Sequence, residues 1–198
     1  MSPGPRAATT TLVTGPVRSG KSRHAEELLR GSAAVTYVAT GGPADGSDPE
    51  WARRVEAHQA RRPETWRTIE STELAPVIDR ATGPLLIDCL GTWVTAVVDQ
   101  TGWDDLEKAA AALRTRSARL VESLCATTQP VVVVTNEVGW SLVATTASGR
   151  LFQDELGRLN AAVAEVAARV HLVVAGRVLD LSNAPVVGPS GIPRSADG

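Results

Sequence analysis

A chain of 198 residues, 43% apolar and 21% charged, is long enough for one domain with a sizeable core and has the balance of an ordinary globular protein. Its formal net charge of −2 gives no support for nucleic-acid binding, which wants a basic face. No apolar stretch reaches transmembrane length and Met1–Ala8 has no apolar signal core, so the expected setting is cytoplasmic, with no membrane insertion.

In chain order, the Pro/Gly-rich residues 1–8 read as a disordered tail, and the segment from Asn183 to Gly198 as a second one. Between them, 9–182 shows no repeat and no linker, and reads as a single α/β domain. Thr10–Thr14 is a short β-branched strand that ends at Gly15. Ser22–Arg30 reads as a helix stopped by Gly31, and Ala34–Ala39 as a second strand. After a Gly/Pro/Asp loop from Gly41 to Pro49, Glu50–Arg62 is helical and closes at Pro63. Trp66–Thr72 is extended, and Leu74–Ala81 reads as a short helix. Pro84–Asp88 is a buried strand ending in an acid, and Asp104–Cys125 a long helix with Leu106, Ala110, Leu113, Leu120 and Leu124 on one face. Val131–Thr135 is the most strand-like run of the chain. Gly149–Arg169 reads as a helix with Phe152, Leu156, Leu159, Val163 and Val166 as its stripe, and Val170–Ala175 and Val178–Leu181 finish as strands. Strands that are continuous apolar runs alternating with helices predict a mostly parallel sheet covered on both faces. Cys89 and Cys125 sit in apolar runs and read as buried thiols rather than a disulfide or a metal pair.

The strongest signal is Gly15-Pro16-Val17-Arg18-Ser19-Gly20-Lys21-Ser22, which matches the P-loop pattern G-x-x-x-x-G-K-[ST] at a strand-to-helix junction. Its glycines let backbone N–H groups curl around a phosphate, and the following helix adds the positive end of its dipole. In that motif Lys21 reaches the β and γ phosphates and the Ser22 hydroxyl holds Mg²⁺. Lys21 also stands out because Lys108 is the one other lysine, although so arginine-rich a chain reads most simply as coding bias. Asp88, ending a buried strand, is placed to bind Mg²⁺ directly or through water, with a cap or turn role as the alternative. Asn136 and Glu137 would emerge at the same edge of the sheet, where ligands of open α/β sheets sit, or play a structural part there. On the Glu50–Arg62 helix, Arg54, His58, Arg61 and Arg62 share a face. Guanidiniums around an imidazole suit a phosphate-bearing ligand and disfavour imidazolium, leaving a nucleophilic nitrogen near pH 7. A solvated histidine on a basic face is the plainer reading of the residues alone. His24 and His171 read as structural or surface residues.

Taken together, several segments resemble one family, the bifunctional adenosylcobinamide kinase / adenosylcobinamide-phosphate guanylyltransferases of cobalamin biosynthesis. The likeness runs through Leu12–Gly15 and Arg18–Glu26, Tyr37–Thr40, Arg54-Val55 with His58 and Arg62-Pro63, and Trp66–Thr68 with Glu70. It continues in Asp88–Leu90 with Trp93–Thr95, Val134–Gly139, the spacing of Arg150, Phe152, Asp154, Gly157 and Asn160, and Leu172–Gly176. It spans roughly residues 11–181. The P-loop is common to many families, whereas the Arg-Ser-Gly-Lys-Ser-Arg-His run, the His58 to Trp66 segment and the Asn-Glu-Val-Gly strand end are specific in that order.

The resemblance implies a RecA-like P-loop fold, a homotrimer, and two reactions. A nucleoside triphosphate, ATP or GTP, phosphorylates the aminopropanol hydroxyl of adenosylcobinamide. GTP then gives GMP to that phosphate through a guanylylated histidine, a role that falls on His58. GTP contacts are implied for Gly15–Ser22, for Ala39, Thr40 and Gly41, for Gln59, Ala60, Arg61 and Arg62, and for Glu70 and Asp88. Two departures stand out. Ala57 occupies a place where some relatives have a second histidine, and Ser141 and Ala144 stand where relatives usually have a glycine and a proline, which puts that loop and any cobinamide contact in it in doubt. Two rivals share the motif: a single-function small-molecule kinase that uses His58 only to bind phosphate, and a non-catalytic nucleotide-dependent regulator.

Overall fold

A computed structural model describes residues 7–41, 53, 55, 56 and 59–187. His58, Arg54, most of the Gly41–Pro49 loop and much of both expected tails lie outside the described residues. The β-branched runs become strands β1 (Ala7–Thr14), β2 (Thr36–Ala39), β3 (Arg67–Glu70), β4 (Leu85–Asp88), β5 (Val131–Val134), β6 (Ala167–Val174) and β7 (Arg177–Asp180). They form one sheet in the order β3-β2-β4-β5-β1-β6-β7, parallel throughout except for β7, which runs antiparallel to β6.

Alternation along the strands builds two cores. Leu12, Leu85, Ile87, Val131 and Val133 face one way, onto helices α2 (Leu74–Asp79), α3 (Leu90–Thr101), α4 (Leu106–Ala126) and α5 (Ala147–Val166). Val13, Leu86, Val132 and Val134 face the other way, onto Ala25 of α1 (Lys21–Leu28), Leu29 and Trp66. Helices on both faces of a mostly parallel sheet match the expected α/β class. The caps have sequence causes: the Asp105 side chain accepts from Lys108 N at the start of α4, and Thr146 from Gly149 N at the start of α5. Among the described residues no helix is long and apolar enough to cross a membrane.

Three expectations need correction. Residues 90–101 had no element assigned, yet they form α3, whose Leu90, Trp93, Val94, Val97 and Val98 are all buried. The last helix ends at Val166, and 167–169, read as its final turn, belong to β6 because Ala167 and Arg169 pair with Ala7 and Thr11 of β1. Good helix formers yield there to sheet pairing. Cys125 is exposed, not buried: it lies on the solvent side of α4, whose buried side carries Leu120, Ser123 and Leu124.

Candidate active site

The C-terminal ends of β1, β2, β4 and β5 meet at one edge of the sheet, and the P-loop leaves β1 there. At Gly15 the backbone has φ +153, and a Cβ would run into the carbonyl oxygen of Val173 on β6, so only glycine lets the loop turn this close to its neighbour. The loop is fastened from both adjoining strands. Glu137 N donates to Gly15 O at 3.1 Å, Gly176 N to Ser19 O at 3.0 Å, and Ser19 N closes the turn on Pro16 O at 3.3 Å. Thr14 Oγ1 donates to Glu137 Oε1 at 2.6 Å. Lys21, 8% exposed, donates from Nζ to Pro16 O at 3.3 Å.

Beside the loop lies a cavity of about 400 Å³. Lys21 and Ser22 form part of its wall; Asp88, Cys89 and Asn136 come from the ends of β4 and β5. Ala39 and Glu70 end β2 and β3 there, and Gln59 and Arg62 close it from the segment after His58. Tyr37 links these parts. Its hydroxyl donates to Asp88 Oδ2 at 3.0 Å, and the Arg62 guanidinium lies 3.3 Å over its ring while donating from Nη1 to Thr68 Oγ1 at 2.9 Å. Burial, and then the Asp88 carboxylate, push the Tyr37 phenol far up, so it stays a protonated donor. Burial, with Asp88 next, likewise pushes the Cys89 thiol up and keeps it neutral. Cys89 Sγ donates to Asn136 Oδ1 at 3.3 Å, and Gly91 makes room for that amide, since a Cβ would sit 2.8 Å from the same oxygen.

The cavity thus gathers Val17, Lys21, Ser22, Ala39, Gly41, Gln59, Arg62, Glu70 and Asp88 from the expected set. Gly15, Pro16, Arg18, Ser19 and Gly20 form the loop itself. Thr40 is placed differently: fully buried, it donates to Cys89 O at 2.6 Å and lies 2.7 Å from Thr92 Oγ1, bracing the chain behind the cavity. Arg61 turns to Glu26 of α1, with Nε and Nη2 each 3.2 Å from a carboxylate oxygen, and Ala60 is exposed. Tyr37, Cys89, Thr92, Val138 and Phe152 line the site without having been singled out for it. They arrive from separate elements, and no local signal in the sequence marks them for the site. Among the described residues no group of three His, Cys, Asp or Glu gathers around a metal position. Ser22 and Asp88 do line the same cavity, an all-oxygen pair that suits Mg²⁺ when phosphate oxygens and water complete its shell.

Comparison with known proteins gives the family. The family model described as cobinamide kinase / cobinamide phosphate guanyltransferase matches residues 11–181. The bifunctional adenosylcobalamin biosynthesis protein CobU of Escherichia coli (strain K12) is 38% identical, over 83% of this chain and 95% of its own. CobP of Pseudomonas aeruginosa, with the same description, is 36% identical over 88% and 98%, and CobU of Salmonella typhimurium 37% over 83% and 95%. Among solved structures, an ATPase of the type III secretion system of pathogenic bacteria aligns with a TM-score of 0.49 at 11% identity, over 83% of this chain and 51% of that one. With its P-loop, its cavity and relatives matched over nearly their full length, the chain belongs to the cobinamide kinase / cobinamide phosphate guanyltransferase family.

Proposed function

We propose that this protein phosphorylates adenosylcobinamide with ATP or GTP and then transfers GMP from GTP to the resulting phosphate, giving adenosylcobinamide-GDP and pyrophosphate. The observation that carries the reading is the convergence of Lys21, Ser22 and Asp88 on one cavity in a member of this family. In the first step the acceptor hydroxyl oxygen bonds to the γ-phosphorus, the bond to the β–γ bridging oxygen breaks, and nucleoside diphosphate departs as the hydroxyl proton is lost. Positioning and charge neutralisation dominate such transfers, and Lys21 with the backbone N–H groups of Gly15–Ser22 supplies both. Ser22 and Asp88 would hold Mg²⁺, whose charge offsets that of the β and γ phosphates. Arg62, held on Tyr37 and Thr68, and Glu70 line the same cavity and would contact the rest of the nucleotide. In the second reaction the imidazole of His58 attacks the α-phosphorus and pyrophosphate leaves; the cobinamide phosphate then takes the GMP and frees the histidine. Gln59, Ala60 and Arg61, next to His58, belong to the same nucleotide-binding segment. The working form is a cytoplasmic homotrimer with no nucleic-acid partner.

GTP labelled at its α-phosphate tests this reading. The denatured protein should retain label in a bond that is labile to acid and stable to alkali, as expected of a phosphorus–nitrogen bond to imidazole. His58→Ala and the closer-sized His58→Asn should both lose the label and guanylyl transfer while keeping measurable kinase activity. A labelled adduct in either variant, or an alkali-labile one in the parent, would show that another residue is the nucleophile.

A further inference from the structure

A corrin macrocycle with its rim of amide arms is larger than the space left beside a nucleotide in a cavity of about 400 Å³. Only the arm that bears the hydroxyl or phosphate can enter, so the ring must rest on the rim. The cavity wall is polar at Gln59, Arg62 and Glu70, and apolar at Val138 and Phe152. From Val138 the chain runs into 139–146, which presents Trp140, Leu142 and Val143 to solvent at 62%, 94% and 76% exposure. The segment follows directly on Val138, which lines the cavity, and large apolar side chains held in solvent beside a site mark a binding surface. The first turns of α5 hold the backbone on either side of them. Gln153 Nε2 donates to Val138 O and to Ser141 Oγ, each at 3.2 Å, and its Oε1 accepts from Ala144 N at 3.2 Å. Arg150 Nη1 donates to Ala144 O and Thr145 O, each at 3.0 Å.

We propose that Trp140, Leu142 and Val143 are the docking platform for the apolar face of the corrin ring, which lets the reactive arm reach in past Val138 and Asn136. This rests on the function proposed above. Ser141 and Ala144 then serve as pinned backbone of the platform, in the place where relatives usually carry a glycine and a proline.

Cobinamide absorbs where indole emits, so its binding to the full-length protein can be read from quenching of intrinsic fluorescence, without turnover. The double variant Leu142→Ser/Val143→Ser should weaken cobinamide binding about tenfold, in line with the loss of two apolar contacts. It should leave GTP affinity and the mass in solution unchanged, and Leu142→Met, which keeps an apolar side chain, should bind like the parent. Unchanged cobinamide affinity in the double variant would overturn the platform, as would an equal loss of GTP affinity. A fall in solution mass would overturn it too, because the face would then be an interface between copies of the chain. A parent protein that binds no cobinamide would instead sink the enzymatic reading.

Discussion

Lys21 sits almost out of solvent with its ammonium on the carbonyl of Pro16, inside the turn that it would help to fill with phosphate. Replacing it with alanine removes a charge-assisted contact without opening the apolar core, so Lys21→Ala should bind GTP about 1.5–3 kcal/mol more weakly and lose both reactions. Calorimetric titration with GTP, alongside an unchanged thermal melt, checks this; parent-like affinity would remove Lys21 from the site. Asp88 makes a different test possible. Its carboxylate accepts from Tyr37 and faces the cavity, and Asp88→Asn keeps the shape while removing the charge. The Mg²⁺ concentration for half-maximal kinase activity should rise in Asp88→Asn; an identical Mg²⁺ dependence would make Asp88 a structural residue. Both residues were legible from the sequence because a motif and a strand end announce them. Tyr37 was not, since nothing local says that a strand tyrosine will lie between Arg62 and Asp88.

Between elements, α1 is tied to β6 by a pair of imidazoles: His24 Nε2 and His171 Nδ1 are 2.9 Å apart, with ring centroids 5.1 Å apart. Burial, and then His171, hold the pKa of His24 below its ordinary 6.5. The unfolded chain therefore takes up the proton first, and the stability due to this group is present above pH 6.5 and lost as pH falls below it. The Tm should drop between about pH 7.5 and 5.5, and His24→Gln, which can still hydrogen-bond but does not titrate, should flatten that slope. Parallel Tm profiles would mean that His24 has no part in the pH response. On β7, Asp180 lies opposite His171, and its hydrogen bonds from Ser182, ahead of the charges of His171 and Arg169, keep its carboxyl below the usual range. It stays anionic throughout that window. Elements whose pattern had one polar face, such as α4 and α5, could be read from the sequence. Helix α3 carries such a stripe too, in Leu90, Trp93, Val94, Val97 and Val98 with Thr95, Asp99 and Gln100 exposed, but it follows β4 after a single residue, Cys89, so no loop signal marks where it starts.

Across the whole molecule, sheet class followed from alternating apolar runs and helices, but strand order did not. That β5 lies between β1 and β4, so that Asn136 stands between the P-loop and Asp88, follows from tertiary pairing that no local signal encodes. The same pairing decides how rigid the nucleotide site is. Thr135, Glu137 and Gly176 each give a backbone N–H to β1 or to the loop that follows it. These amides should resist hydrogen–deuterium exchange before any nucleotide is added, whereas fast exchange at Glu137 and Gly176 would show a loop that orders only on binding. A loop already fixed by the sheet loses little conformational entropy when a triphosphate arrives, so association with GTP should be limited by encounter rather than by a slow folding of the site around its ligand.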